Sequence, residues 1–418
     1  MMLYIQDASF VDWRTLRIRR GHLKVAPGPK GDVRFVSRIP QGASVLDCSG
    51  RLVTKSFVIA HHHLYSALAL GMPLPPRAPR NFAQMLKLVW WNLDRKLDAE
   101  MVRACALAGG IEAAKCGATF LIDHHSSPNA TRGSLDIIAS ALDDIGLSHL
   151  LCLELSDRDG ERRREEGLAE TNRYLSGRQG LVGLHASFTV SDGLLKRAVA
   201  LAETHATGIH AHVAEALSDE NDCIRRRGIR ILERFSAAGA LRSPKTILAH
   251  GLHLDKKERA IFRRSPAWLV QNQESNQNNG VGDFDSAGLG GRLMLGTDGL
   301  NADMLASTRA AYLAGRARGG MSPLDAYRRL RKAHEYLAVN GFTGDGENNL
   351  VILDYAPPTP VTPANLAAHF LYGLGRCHVE SVISAGRLIV RRRRMVGVDE
   401  DKIREFTSKQ AEKLWRRL

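Results

Sequence analysis

The chain has 418 residues, 44% of them hydrophobic, enough for the large core of an α/β barrel, which runs to about 250 residues as a single domain. Its 58 Lys and Arg against 44 Asp and Glu leave a charge of +14, but the basic residues lie in short clusters without the aromatic interleaving that stacks bases. They read as a solvated surface, not a nucleic-acid interface, and no run of about 18 apolar residues offers a membrane span.

In chain order, residues 1–55 carry strand-like runs at 3–5, 33–36 and 44–47, broken by PGPKG at 27–31. Similar runs return at 350–354, 379–386 and 388–390. These predict one small β-sandwich built from both termini, 1–55 and 346–418, the second piece ending in a helix. Between them, over 56–345, apolar runs at 57–60, 118–122, 150–155, 181–184, 208–213, 246–249, 268–270 and 292–295 alternate with helix-length segments. That is the strand count of a (β/α)8 TIM-like barrel, whose catalytic groups sit at the C-terminal strand ends. The six cysteines, Cys48, Cys105, Cys116, Cys152, Cys223 and Cys377, show no C-x-x-C pair. Together with an N-terminus that lacks a signal-peptide pattern, they predict a cytoplasmic protein.

Several of the apolar runs end in a His or an Asp, which is costly to bury without a partner. The first, FVIAHHH at 57–63, ends in His61 and His63; two apart on a strand, they share a face and can hold one ion together. His212 and Glu215 follow in HAHVAE at 210–215, His250 ends TILAH, and Asp298 ends LMLGTD. His61, His63, His212 and Asp298 are the predicted metal ligands. Three imidazoles and a carboxylate suit one divalent ion, Zn²⁺ first, with Fe²⁺ and Mn²⁺ compatible by ligand type.

Catalytic zinc usually has three protein ligands, so Asp298 has two candidate jobs, ligand and proton acceptor. Spacing alone leaves Glu215 open between a pocket carboxylate and an exposed first-turn helix residue. It leaves His250 open between a catalytic group and a buried His bonded to backbone. Taken together the residues point to hydrolysis by a metal-activated water. In that reading Asp298 takes a proton, His250 polarises the nucleophile and Glu215 protonates the atom that gains electrons.

At these residues, and at 63–68 (HLYSAL), 122–129 (IDHHSSPN), 185–190 (HASFTV), 295–299 (LGTDG) and 353–360 (LDYAPPTP), the chain resembles the amidohydrolase superfamily. The similar branch holds cytosine-, guanine- and S-adenosylhomocysteine-deaminase-like and triazine-hydrolase-like enzymes. The resemblance implies His61, His63, His212 and Asp298 as ligands and Glu215 and His250 as proton-handling groups. It implies His185 as a substrate contact, and one metal, since no Lys ends the fourth barrel strand. It further implies a small-molecule heterocyclic substrate, deamination of a purine-like ring, and a homodimer by analogy. The alternatives are a cyclic amidohydrolase that opens a ring, a basic nucleic-acid-binding protein with a structural metal, and a relative that has lost turnover.

Two stretches depart from the family pattern. Lys55-Ser56 replaces a Pro-Gly and reads as a changed turn, while Gln271-Asn272-Gln273 falls where the seventh strand presents a pocket residue. Trp90 and Trp91 read as helix packing more than as a platform for a flat ring, and His124 and His125 as loop or supporting residues.

Overall fold

The computed structural model describes residues 2–418. Alternating buried and open positions give β1 (Leu3–Val11) and β2 (Ile18–Val25), which pair antiparallel, and the chain continues through β3 (Val33–Val36), β4 (Ser44–Asp47) and β5 (Leu52–Lys55). It then enters a second sheet of eight strands. These are β6 (Phe57–His62), β7 (Ala118–His125), β8 (Ser148–Leu155), β9 (Val182–Ala186), β10 (Ile209–Val213), β11 (Ile247–His250), β12 (Trp268–Gln271) and β13 (Leu293–Leu295). Their paired neighbours run parallel. Every residue of β6 and β7 is buried, as expected of strands covered on both faces. All eight fall on the apolar runs read from the sequence.

The chain finally returns to the first sheet through β14 (Leu350–Leu353), β15 (Val379–Ser384), β16 (Arg387–Arg391) and β17 (Arg394–Met395). β14 pairs antiparallel with β5, Leu350 opposite Lys55 and Leu353 opposite Leu52, so the two ends of the chain hold each other. The expected sandwich is one continuous mixed sheet of nine strands, enclosing a core of its own around Ile5, Leu23, Val25, Val53, Ile352 and Ile383. The last helix, Glu400–Trp415, packs on the barrel helix Ala99–Lys115, and its Trp415 Nε1 donates to the Leu68 carbonyl at 2.8 Å.

Lys55-Ser56 is a seam and not a changed turn. Lys55 ends β5, is 1% exposed, and places Nζ 2.8 Å from Asp345 Oδ1. His334 Nδ1 donates to the other Asp345 oxygen at 2.7 Å, and Arg331 Nη1 donates to the carbonyls of Lys55 and Ser56. A buried charge is tolerated only when paired and hydrogen-bonded in this way.

The barrel closes between β13 and β6. Thr297 N and Asp298 N donate to the His61 carbonyl at 3.0 and 3.1 Å, and His63 N donates to the Asp298 carbonyl at 3.1 Å. This approach needs Gly296: a Cβ there would fall 2.4 Å from Asn272 Oδ1 and 2.8 Å from the His61 carbonyl oxygen. The lower barrel is filled by Val58, Phe120, Ile122, Leu150, Trp268 and Met294. The layer above is polar, with His61, His124 and His210 all at 0% exposure.

Candidate active site

Strand geometry brings the ordered His and Asp residues to one end of the barrel. His61, His63, His212 and Asp298 each offer a ligand atom, and these atoms lie within 4.8 Å of one another. His63 Nε2 is 3.1 Å from His212 Nε2 and 2.9 Å from Asp298 Oδ1, and His61 Nε2 is 3.2 Å from the same oxygen. His63 Nδ1 donates to the His124 carbonyl at 2.6 Å and His212 Nδ1 to the His185 carbonyl at 3.2 Å. With Nδ1–H donated on the far side, each imidazole points Nε2 at the other, so the space between them takes either a shared proton, held on His63, or a metal ion.

Two facing lone pairs beside a carboxylate repel unless a positive charge lies among them. Burial disfavours charge on His63, yet Asp298 and the His124 carbonyl more than offset it and push that imidazole up to about 9. Burial holds His61 down at about 4 and His212 well below the usual range. Asp298, despite its burial, is held well below the usual carboxylate range by the His61 and His63 rings. The group asks for one cation, and three nitrogens with one oxygen fit a divalent ion of the zinc type.

Beside this quartet, Glu215, His250 and Asp298 form a second group with atoms within 4.8 Å. His250 Nδ1 donates to Asn276 Oδ1 at 2.8 Å, which leaves the Nε2 lone pair facing the site, 3.6 Å from Glu215 Oε2. Burial pushes the Glu215 carboxyl up to about 7. Backbone geometry here is unusual: Ala214, His250 and Asp298 have φ of 48°, 74° and 55°. Non-glycine residues in the left-handed region cost about 1–3 kcal/mol each, and such strain gathers at functional sites.

The pocket over both groups is lined by His63, His212, Glu215 and Asp298, and by Trp90, Trp91, Asp94, Glu154, His185 and Ser275. Trp90 and Trp91 line the pocket, where the π-helical turn Leu86–Trp90 carries them over the barrel mouth, and Trp90 also packs against the main core as read from sequence. His185 lies in the wall, its Nδ1 2.6 Å from Thr189 Oγ1.

The residues at 271–273 turn away from the pocket. Gln271 Nε2 donates to Gln273 Oε1 at 2.9 Å, and Gln273 donates to Asp283 at 3.1 Å. The pocket residues that follow are Ser275, Asn278 and Asn279, and the Ser275 hydroxyl donates to Asp298 Oδ2. Neither Ser275 nor Asn276 stood out in the sequence, since a short polar stretch has no period that marks which side chain turns inward. Asp94 and Glu154 were missed as well. They share the buried Arg158 guanidinium, which donates to both.

The amidohydrolase family model matches residues 52–329, two-thirds of the chain and the whole of the barrel sheet. The chain belongs to the amidohydrolase family. This amidohydrolase is 28% identical over 393 residues to a 5'-deoxyadenosine deaminase of Methanopyrus kandleri, covering 87% of this chain and 86% of that one. It is 27% identical over 423 residues to a 5-methylthioadenosine/S-adenosylhomocysteine deaminase of Pelotomaculum thermopropionicum, covering 94% and 92%. Among solved structures, an adenosine deaminase from Xanthomonas campestris with bound zinc superposes with a TM-score of 0.83 at 17% identity, over 99% of this chain and 98% of that one. That likeness supports the fold of the amidohydrolase.

Proposed function

We propose that this amidohydrolase is a zinc-dependent deaminase of a purine-like heterocycle, with the adenosine-like nucleosides named for its relatives as the first candidates. The observation that carries the reading is the adjacency of a cation-binding quartet to Glu215 and His250 at the floor of an aromatic-walled pocket. Zinc, when held by His61, His63, His212 and Asp298, supplies the Lewis acidity that lets water lose a proton near neutral pH.

The chain's own residues account for the remaining steps. Glu215, raised to about 7, is protonated in about half of the molecules at neutral pH and can give that proton to a ring nitrogen as an sp² carbon is attacked. His250 presents Nε2 as an acceptor that orients the nucleophile. Asp298 is ionised, accepts a proton and returns it to the departing amine. Trp90 and Trp91 wall the pocket for a flat ring, and His185 is the proposed substrate contact.

The chain has five buried free cysteines and one exposed, which supports a reducing, cytoplasmic setting. Among the described residues no helix is long and apolar enough to cross a membrane. A homodimer is proposed by analogy and is tested by light scattering.

The deciding experiment is metal analysis of the purified chain coupled to ammonia release from adenosine, 5'-deoxyadenosine, guanine and cytosine. Stoichiometric zinc with ammonia from at least one of these supports the reading. A metal-loaded chain that releases no ammonia, yet bleaches the ultraviolet band of a cyclic amide, would replace deamination by ring opening.

A further inference from the structure

We infer that His210 and Cys152 form a reversible hydrogen-bond relay that accommodates the ring proton of His61 on either nitrogen, and so leaves His61 free to turn Nε2 to a metal. The inference rests on the metal reading of the quartet and adds to it two residues that touch neither metal nor substrate. His61, His210 and Cys152 come from β6, β10 and β8, and all three are 0% exposed, so solvent cannot complete their hydrogen bonds.

His61 Nδ1 lies 2.9 Å from His210 Nε2. The other nitrogen of His210, Nδ1, is 3.6 Å from Cys152 Sγ, and that sulfur is 3.5 Å from the Asp123 carbonyl. At the opposite end of the chain of contacts, His61 Nε2 is 3.2 Å from Asp298 Oδ1.

These contacts satisfy every group in two directions. Without metal, the Cys152 thiol donates to His210 Nδ1, His210 Nε2–H donates to His61 Nδ1, and His61 Nε2–H donates to Asp298. With metal, His61 must offer Nε2 as a lone pair, so its proton sits on Nδ1 and is donated to His210 Nε2. His210 then carries its proton on Nδ1 and donates to Cys152 Sγ, and the thiol proton turns to the Asp123 carbonyl. Both imidazoles stay neutral and the thiol stays a thiol: the proton on His210 Nε2 passes to His61 Nδ1, the one displaced from His61 Nε2 leaves to water through the pocket, and one from water replaces it on His210 Nδ1, so the two equilibrium arrangements hold the same number of protons. His61 therefore changes tautomer without leaving a buried donor or acceptor orphaned. An acceptor fixed to one direction would penalise one of the two states.

His210 and Cys152 are thus positioning residues, and zinc affinity reports on them independently of turnover. Chelator competition on the full chain is expected to show 10–100-fold weaker zinc binding for His210→Leu, the order of loss seen when a ligand's supporting partner is removed. His210→Gln, which keeps one acceptor and one donor, recovers most of that loss, and Cys152→Ala shows a smaller loss in the same direction. In ¹⁵N-histidine spectra of the wild-type chain, the His61 proton moves from Nε2 to Nδ1 when zinc is added. Should His210→Leu not fold, Cys152→Ala and the labelled wild-type chain decide. Equal zinc affinity in His210→Leu and wild type, or a His61 proton on the same nitrogen in both states, overturns the relay alone. A wild-type chain without zinc affinity overturns the metal reading and the relay together.

Discussion

His61 and Asp298 are joined through both backbone and side chain. Asp298 N donates to the His61 carbonyl at 3.1 Å, and Asp298 Oδ1 lies 3.2 Å from His61 Nε2. The first contact helps close the barrel and the second lies within the candidate metal quartet, so one pair of residues serves both. Substitution of the side chain spares the backbone bond.

Asp298→Asn is therefore expected to keep the fold, with an unchanged far-ultraviolet circular dichroism spectrum. It removes the charge that draws a cation and the base that accepts a proton. The expected loss in kcat is at least about 10²-fold, with reduced bound zinc by metal analysis. Full activity in this variant would remove Asp298 from the mechanism.

Glu215→Gln separates proton transfer from metal binding. Glu215 is outside the quartet, so zinc content is expected to match wild type while kcat falls about 10²- to 10⁴-fold. A variant with normal kcat would assign the proton to another group.

Ser275→Ala and Asn276→Leu test the segment that follows β12. Ser275 occupies the Asp298 oxygen that faces away from the His rings, and Asn276 fixes the proton of His250 on Nδ1. Ser275→Ala is expected to weaken zinc by about 10-fold or more. Asn276→Leu is expected to lower kcat with zinc content unchanged. Chelator competition and steady-state kinetics on the same preparations distinguish the two.

The Lys55–Asp345 pair predicts a stability effect far from the chemistry. Asp345→Asn leaves the Lys55 ammonium buried without its counter-charge, which costs about 3–5 kcal/mol, read as a lower urea midpoint. Burial opposes ionisation of Asp345, but His334 and Lys55 outweigh it and hold its carboxyl at about 2. A depressed carboxyl contributes stability above its ordinary value of 3.8 and loses it as pH falls through about 2. The gap between wild type and variant should accordingly narrow from pH 4 towards pH 2. A gap constant over that range would show that the charge of Asp345 does not stabilise the seam.

The strands and the residues that cluster at the candidate site were legible in the sequence because parallel strands covered on both faces read as unbroken apolar runs, and a His or Asp at the end of such a run is costly to bury without a partner. His61, His63, His212 and Asp298 could be named on that basis, while Glu215 and His250 stayed open on spacing and were implied by the family resemblance. Tertiary structure alone decided the supporting set. Ser275, Asn276, His210 and Cys152 meet their partners from other segments of the barrel, at sequence separations that carry no periodic signal. It also turned Trp90 and Trp91 into the pocket, and it made Lys55, read as part of a changed turn, half of a buried ion pair with Asp345. Hydrophobic period records which face of an element is buried. Which polar partners meet inside depends on how eight strands close on one another, and that is a property of the closed barrel.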